Sequence, residues 1–306
     1  GVQTCALPIF LFEGIITNKD DLIQLLGLSP DTSSAFLLSA AFRKWSFNCA
    51  AKIKGEYCFV IYGKMSKEIF ASRDHIGIVP LFYYREGNNI FLSPDAKSIL
   101  NLQETRKELN EKWPLFYLLK IPDENWGTIN KQLNRLVSGH YILFKNNETT
   151  LKRFWFPSVK NIREKTNVDY VDRFRQILNK AVSNRIPDCD HIGSELSGGV
   201  DSSVIVAHAN QICTDRQIDF SVFSETYSEN IDPRLSDMYN EKVDSDLIAN
   251  YCEIKNRYLV TNAEYSLQEL LELANQVHFE PSFIMVNIYA SGIYKKAQSL
   301  GIHNLL

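Results

Sequence analysis

The sequence has little that would suit a membrane-spanning, nucleic-acid-binding or secreted protein. No uninterrupted apolar run approaches the roughly 20 residues needed to cross a bilayer. A formal net charge of −3 gives no basic field for a nucleic acid. The six cysteines contain no CxxC pair and no compact disulfide framework. We therefore expect a soluble, cytoplasmic protein with reduced thiols and with neither nucleic-acid nor membrane partners.

Two common site signatures are also missing. The histidines show no metal-ligand spacing, so we interpret them as surface or core residues. No GxxxxGK[ST] run occurs, which excludes a Walker-type phosphate loop. Apolar residues make up 45% of the 306 residues and charged residues 23%, the balance of an ordinary folded protein. A chain of this length is expected to hold about two domains.

The pattern of the sequence changes between its two halves. Residues 10–158 combine helical stretches with short strands rich in aromatic and β-branched residues, such as Glu56–Tyr62. Residues 166–306 alternate between helix and strand patterns, beginning with an amphipathic helix at 168–184 and a strand at His191–Leu196. That alternation predicts a parallel sheet with crossover helices. We predict an α/β protein overall, divided into these two domains.

The first nine residues differ from the rest. They resemble the in-frame translation of a sequencing adapter, so we interpret residues 1–9 as an artefact without function. A cysteine near an N-terminus is the nucleophile that a glutamine amidotransferase needs. Because Cys5 lies inside this segment, we expect it to have no catalytic role, and we expect the true nucleophile to be missing.

The strongest motif is the run Glu195–Ser203, which lies between a predicted strand and a predicted helix. A Ser-Gly-Gly turn lets backbone N–H groups approach an anion, and the following helix presents its positive end to it. The carboxylate of Asp201 would repel phosphates unless a divalent cation, predicted to be Mg²⁺, lies between them. A polar turn that only caps a helix is the alternative. The motif predicts a pyrophosphate site formed by Ser197, Gly198, Gly199, Asp201, Ser202 and Ser203, and Asp244 is a further candidate for substrate or metal contact.

Ser197–Ser203 resembles the loop of the ATP pyrophosphatases, which cut ATP between its α- and β-phosphates. Over residues 11–306 the chain resembles the asparagine synthetase family of the glutamine-hydrolysing type. The segment Ser72–Tyr83, with Asp74, is similar to that family's Arg-Asp-x-x-Gly-x-x-Pro-Leu-Tyr-Tyr run. Further matches are Lys54–Phe59, Ser93–Lys97, Val243–Ala249 and Phe279–Pro281.

The resemblance implies a fold for each half. Residues 10–158 are expected to form an α+β class II amidotransferase sandwich of the Ntn type, without its N-terminus. Residues 166–306 are expected to form an α/β parallel-sheet ATP-pyrophosphatase domain that stops before a second phosphate loop, so we expect the fragment alone to be inactive. By the same alignment Leu196 and Val222 would line an adenine pocket, although the sequence fits strand core residues equally well.

The glutamine site departs from the family pattern. The glutamine-holding Asn-Gly-Glu is replaced by Glu13-Gly14-Ile15, whereas Asp31 still matches the acidic residue that would bind glutamine. A carboxylate at Glu13 would repel the oxyanion that an asparagine side chain can stabilise. Glu13, Gly14 and Asp31 are therefore the candidate glutamine-binding residues of a domain that we expect not to hydrolyse glutamine.

The implied reaction converts aspartate, ATP and glutamine or ammonia to asparagine, AMP and pyrophosphate through an acyl-adenylate. An alternative is an amide or lactam synthetase of the same fold, of the β-lactam or lasso-peptide cyclase type, with a non-functional glutaminase domain. Glu13, Ile15 and the polar Glu195 favour it. A third hypothesis, a non-catalytic nucleotide-binding or regulatory protein, is disfavoured by Asp201. We expect the partners to be small-molecule substrates, and the chain could also form a homodimer.

Overall fold

The computed structural model of the chain describes residues 8–120, 127–159, 161–226, 241–261, 266, 268–269, 271–272, 275, 279–280 and 284–306, without the side chains of 284–289. The chain divides into two compact units, Gly1–Asn161 and Ile162–Leu306. Cys5 and the end of the Phe279–Pro281 match lie outside the described residues. Among the helices that are described, none is long and apolar enough to cross a membrane.

The first unit contains two antiparallel sheets with helices. The strands are β1 Ile9–Ile16, β2 Gly55–Gly63, β3 Glu68–Arg73, β4 Phe82–Glu86, β5 Asn89–Ser93, β6 Leu133–Arg135, β7 His140–Lys145 and β8 Glu148–Arg153. The helices are α1 Lys19–Leu26, α2 Ser34–Trp45, α3 Ala96–Leu100 and α4 Trp113–Leu119, with a 3₁₀ helix at Ser46–Ala51. One sheet has the order β1-β2-β3-β7-β8 and the other the order β5-β4-β6.

The alternation of side chains along β2 explains how these layers pack. Tyr57 and Phe59 are buried on one face, in a core that α1 and α2 cover. Cys58 points to the opposite face, where Leu81 and Leu136 join it in a core between the two sheets. Because successive residues of a strand face opposite sides of the sheet, β2 contributes side chains to both cores. The predicted α+β amidotransferase-type sandwich is confirmed.

A buried carboxylate organises the segment after β3. Asp74 is fully buried and accepts hydrogen bonds from five backbone N–H groups, at 2.6–3.3 Å. Their donors are Tyr57, Ile76, Gly77, Ile78 and Val79. The motif that resembles the family's Arg-Asp run therefore holds the backbone of this unit together through Asp74.

The second unit is built on a parallel sheet. Its strands are β9 His191–Glu195, β10 Asp219–Thr226 and β11 Asn256–Thr261, and its helices are α5 Asn167–Ser183, α6 Val200–Arg216, α7 Lys242–Tyr251 and α8 Ile284–Ser299. Residues of α5, α6 and α7 pack on one face of the sheet, and residues of α8 pack on the other. Helices on both faces are typical of a parallel α/β sheet, so the α/β prediction for this half is confirmed.

The order of the strands reverses at β9. Parallel β10 pairs with one side of β9, and β11 pairs with the far side of β10. On its other side, β9 forms a parallel bridge between Gly193 and Leu305, with backbone hydrogen bonds of 3.0 Å. Ligands of open α/β sheets bind beyond the carboxyl ends of the strands, at the point where the strand order reverses. In this unit that point lies at the end of β9.

Candidate functional site

The Gly-rich segment lies at the carboxyl end of β9. The strand ends at Glu195, the chain turns through Leu196–Gly199, and α6 begins at Val200. The backbone N–H groups of Val200, Asp201 and Ser202 have no hydrogen-bond partner among the described residues. The first N–H groups of a helix carry its positive dipole end, so they offer donors to an anion. We call Leu196–Ser203 the phosphate loop.

Serine hydroxyls fix the shape of the phosphate loop. The hydroxyls of Ser197 and Ser202 are 2.9 Å apart, and the Ser197 N–H donates to Ser202 Oγ at 3.2 Å. Ser202 Oγ is 3.2 Å from the Gly199 carbonyl, and the Gly199 N–H donates to Ser197 Oγ at 3.3 Å. Ser203 Oγ is buried and has no partner in the described part of the chain. The loop is thus shaped before any ligand arrives, with one hydroxyl unsatisfied.

The two glycines of the phosphate loop have different surroundings. Gly198 adopts a φ of +76°, and a Cβ atom there would overlap with Asp244. Gly199 has an ordinary φ of −68°, and a Cβ atom would meet only Ser197 Oγ, at 3.3 Å. The folded chain therefore requires glycine at 198, whereas at 199 it leaves an open face that a ligand could approach closely.

Leu196 and Val222 are core residues of the sheet. Each side chain is only 1% exposed and packs against α5, α6 and α7. The Leu196 N–H donates to the Phe223 carbonyl at 2.8 Å, and the Leu196 carbonyl accepts from Ser224 Oγ at 2.7 Å. Because both side chains are buried, they offer no open surface to an adenine ring in this structure. Ser224 was not predicted, although a hydroxyl within an apolar strand is a signal for such a contact.

The carboxylates near the phosphate loop include those of Asp201, Glu195, Glu241 and Asp244. Asp201 is exposed in the first turn of α6. Burial raises the pKa of Glu195 and of Glu241, and the charge of Glu195 adds to the rise at Glu241. No group of three potential metal ligands is found among the described residues. Mg²⁺ commonly binds through one or two carboxylates together with phosphates and water, so Asp201 fits an ion shared with bound phosphates.

The predicted glutamine residues lie in the first unit. Glu13 is exposed on β1 opposite Cys58; burial, followed by the charge of Glu13, raises the pKa of Cys58 to about 12. Gly14 has a φ of +114°, and a Cβ there would overlap with the Glu56 carbonyl, so the strand pair itself requires glycine. Asp31 is exposed before α2, and the described structure records no hydrogen bond or ion pair between it and Glu13.

Two family models match the chain in succession. The glutamine amidotransferase domain model matches residues 6–155, and the asparagine synthase model matches residues 173–305. The chain belongs to the glutamine-hydrolysing asparagine synthetase family. The phosphate loop lies in the asparagine synthase part, and Glu13, Gly14 and Asp31 lie in the amidotransferase part.

The proteins with similar sequences include asparagine synthetases and proteins with other names. A putative glutamine-hydrolysing asparagine synthetase 2 of Methanocaldococcus jannaschii is 24% identical over 89% of the chain and 52% of its own length. Amidase chyE of Penicillium rubens is 25% identical over 57% of the chain and 26% of its own length. The chain thus spans about half the length of the first of these relatives.

Among solved structures, glutamine phosphoribosylpyrophosphate amidotransferase from Bacillus subtilis aligns with 89% of this chain and 74% of its own. The sequence identity is 12% and the TM-score is 0.37, a likeness that supports no functional conclusion. The assignment to the asparagine synthetase family therefore comes from the sequence matches.

Proposed function

We propose that the protein containing this chain is an ATP-dependent, amide-forming ligase of the asparagine synthetase type. The observation that carries the proposal is the phosphate loop at the end of β9, where the strand order reverses and three backbone N–H groups have no partner among the described residues. A site with this position and these donors suits the phosphates of a nucleotide.

In the proposed reaction, a substrate carboxylate attacks the α-phosphorus of ATP and pyrophosphate leaves, which gives an acyl-adenylate. An amine then attacks the acyl carbon, AMP leaves with the bonding electrons, and a proton is lost as the amide forms. The N–H groups of Val200, Asp201 and Ser202 would bind the departing pyrophosphate, and the Ser203 hydroxyl could complete its binding. When bound, Mg²⁺ would neutralise phosphate charge beside Asp201.

Aspartate is the leading acceptor, with glutamine or ammonia as the nitrogen source. The test measures the release of AMP and pyrophosphate by the protein with aspartate plus either ammonium or glutamine. Aspartate-dependent AMP release in step with asparagine formation is expected. If AMP forms at the same rate without aspartate, asparagine synthesis is the wrong reaction.

A second candidate is an amide or lactam synthetase of this family with a non-functional glutaminase domain. The exposed carboxylate of Glu13, which has no partner in the described residues, supports it because negative charge there opposes an oxyanion. To test this point, the rate at which glutamine is hydrolysed is compared between the Glu13→Asn variant and the unchanged protein. If the unchanged protein already releases glutamate from glutamine, this candidate loses its support.

Nucleotide binding can be tested on the chain itself. We expect Asp201→Asn to weaken binding of Mg·ATP more than that of metal-free ATP, because only the former needs the carboxylate beside the ion. Gly199→Ala should lower ATP affinity with little change in thermal stability, since its Cβ enters the open face. If Gly199→Ala and the unchanged chain bind ATP with equal affinity, the phosphate loop is not the nucleotide site.

A further inference from the structure

We propose that Asp244, in the first turn of α7, is a positioning residue that holds the phosphate loop through Gly198. The inference rests on the proposed function, since it concerns how the loop is held for a nucleotide. It assigns the effect of Asp244 to the packing of its main chain and Cβ atom, and not to contact between its carboxylate and a ligand or metal.

The contact between α7 and the phosphate loop leaves no space for a side chain at Gly198. A Cβ atom built on Gly198 would overlap with the Asp244 Cβ and would lie 2.7 Å from the Asp244 carbonyl carbon and 2.8 Å from the Ser245 nitrogen. Real Cβ atoms essentially never approach other atoms this closely. The backbone of the loop therefore rests directly on the backbone of α7, and a movement of α7 toward the loop would have to displace Gly198.

The helix that supports the loop is itself anchored at several points. Near its start, α7 packs against the rest of the unit, since Ser245 is only 2% exposed; the bond from its hydroxyl to the Lys242 carbonyl stays within the helix. At the other end, Arg257 of β11 donates to the Ala249 carbonyl at 3.0 Å. Asn210 of α6 donates to the Cys252 carbonyl, just after α7, at 2.8 Å. Since α6 begins in the phosphate loop and also binds the end of α7, the position of α7 is coupled to the loop from two sides.

The carboxylate of Asp244 does not take part in this contact. The side chain is exposed and has no hydrogen bond or ion pair among the described residues. A positioning role and a ligand-contact role therefore predict different results for two variants. Asp244→Asn keeps the Cβ and the side-chain volume but removes the charge. Asp244→Gly removes the Cβ that lies beneath Gly198.

The experiment measures the Kd of a fluorescent ATP analogue with Mg²⁺, on the full chain, at a temperature where circular dichroism shows each variant folded. Asp244→Asn should stay within about twofold of the unchanged chain, and Asp244→Gly should raise Kd about tenfold, within the range that misplaced positioning contacts cost. Leu247→Ala, at an exposed position of the same helix, is the matched control and should leave Kd unchanged.

Several results would overturn the proposal. Equal losses of affinity in Asp244→Asn and Asp244→Gly would assign the effect to the carboxylate. An unchanged Kd in Asp244→Gly, accompanied by a lower Tm, would leave α7 with a purely structural role. The double variant Gly198→Ala with Asp244→Gly should lose less affinity than the sum of the two single losses, because the closest of the three overlaps, that with the Asp244 Cβ, is gone. Strictly additive losses would count against the contact.

A measurement without nucleotide separates this inference from the proposed function. Hydrogen exchange of the hydrogen-bonded amides of Ser197, Gly199 and Ser203 should become faster in Asp244→Gly but not in Asp244→Asn, because the loop loses its support only in the former. Unchanged exchange in Asp244→Gly would refute the positioning role. If the unchanged chain binds no nucleotide but the exchange result holds, only the proposed function fails.

Discussion

At the scale of single residues, the stability of the first unit depends on the hydrogen bonds that the carboxylate of Asp74 accepts. Its two oxygens accept from backbone N–H groups, of which that of Tyr57 is buried and those of Gly77 and Val79 are half-buried. Asp74→Asn keeps the shape but turns one oxygen into a donor that faces other donors. We expect it to lower the free energy of unfolding by about 3 kcal/mol, because a buried unsatisfied group costs about 1–3 kcal/mol.

Urea unfolding followed by tryptophan fluorescence measures this effect. Asp31→Asn is the control, because that carboxylate is exposed and has no partner among the described residues. A change of less than about 0.5 kcal/mol in Asp74→Asn, the range of ordinary surface substitutions, would show that the five N–H groups find other acceptors.

His75 gives the first unit a pH dependence. Its ring meets Phe154 and Trp155 edge to face, at centroid distances of 5.4 and 5.2 Å. Burial lowers the pKa of His75, although Asp74 partly opposes the shift. The unfolded chain therefore takes up the proton first, so stability should fall as the pH drops below about 6.5, the ordinary value for histidine.

The Tm of the first unit between pH 7.5 and 5.5, followed by tryptophan fluorescence, tests this expectation. His75→Gln cannot titrate and should show a smaller decrease over that interval than the unchanged chain. Identical pH profiles for the two proteins would assign the effect to other groups.

At the scale of elements, the hairpin between β7 and β8 offers a stabilising substitution. Lys145 pairs with Glu148, and the two residues between them, Asn146 and Asn147, have φ values of +49° and +65°. Such turns favour Asn followed by Gly. Asn147→Gly should raise the free energy of unfolding by about 0.5 kcal/mol, while Asn147→Ala should lower it by about 1 kcal/mol because the left-handed region penalises a Cβ. Chemical denaturation of both variants measures the difference, and a loss of stability in Asn147→Gly would contradict it.

Elements with a regular apolar pattern could be predicted from the sequence. β2, β9 and the amphipathic α5 carry such patterns, although Val182 is the one buried residue of α5 in the described structure. The phosphate loop is predicted by its motif between strand and helix. The polar, largely exposed β8, at the edge of its sheet, shows no such pattern. The contacts of Ser224 with Leu196 and of Asp244 with Gly198 depend on which strand and helix lie beside the loop. Tertiary neighbours of that kind are not encoded in local periodicity.

At the scale of the whole molecule, tryptophan separates the two units spectroscopically. All four tryptophans, at 45, 113, 126 and 155, fall within Gly1–Asn161, so fluorescence reports that unit and circular dichroism reports both. ATP with Mg²⁺ at 100 times its Kd should stabilise the second unit by about 2.7 kcal/mol. We expect circular dichroism to show a nucleotide-dependent rise in Tm that fluorescence does not, and Asp201→Asn should reduce the rise. A shift of equal size in both signals would contradict a nucleotide site confined to the second unit.

The bridge between Gly193 and Leu305 has a consequence for how the protein is made. The two partners of this bridge leave the ribosome at very different times, since Gly193 of β9 and Leu305 beside it are separated by more than a hundred positions. At about 5–20 residues per second, the gap is roughly ten seconds of synthesis. During that interval the nascent sheet has β10 on one side only, and the crevice where the strand order reverses is open. Translation therefore completes the neighbourhood of the phosphate loop only once Leu305 has been made, long after the loop itself.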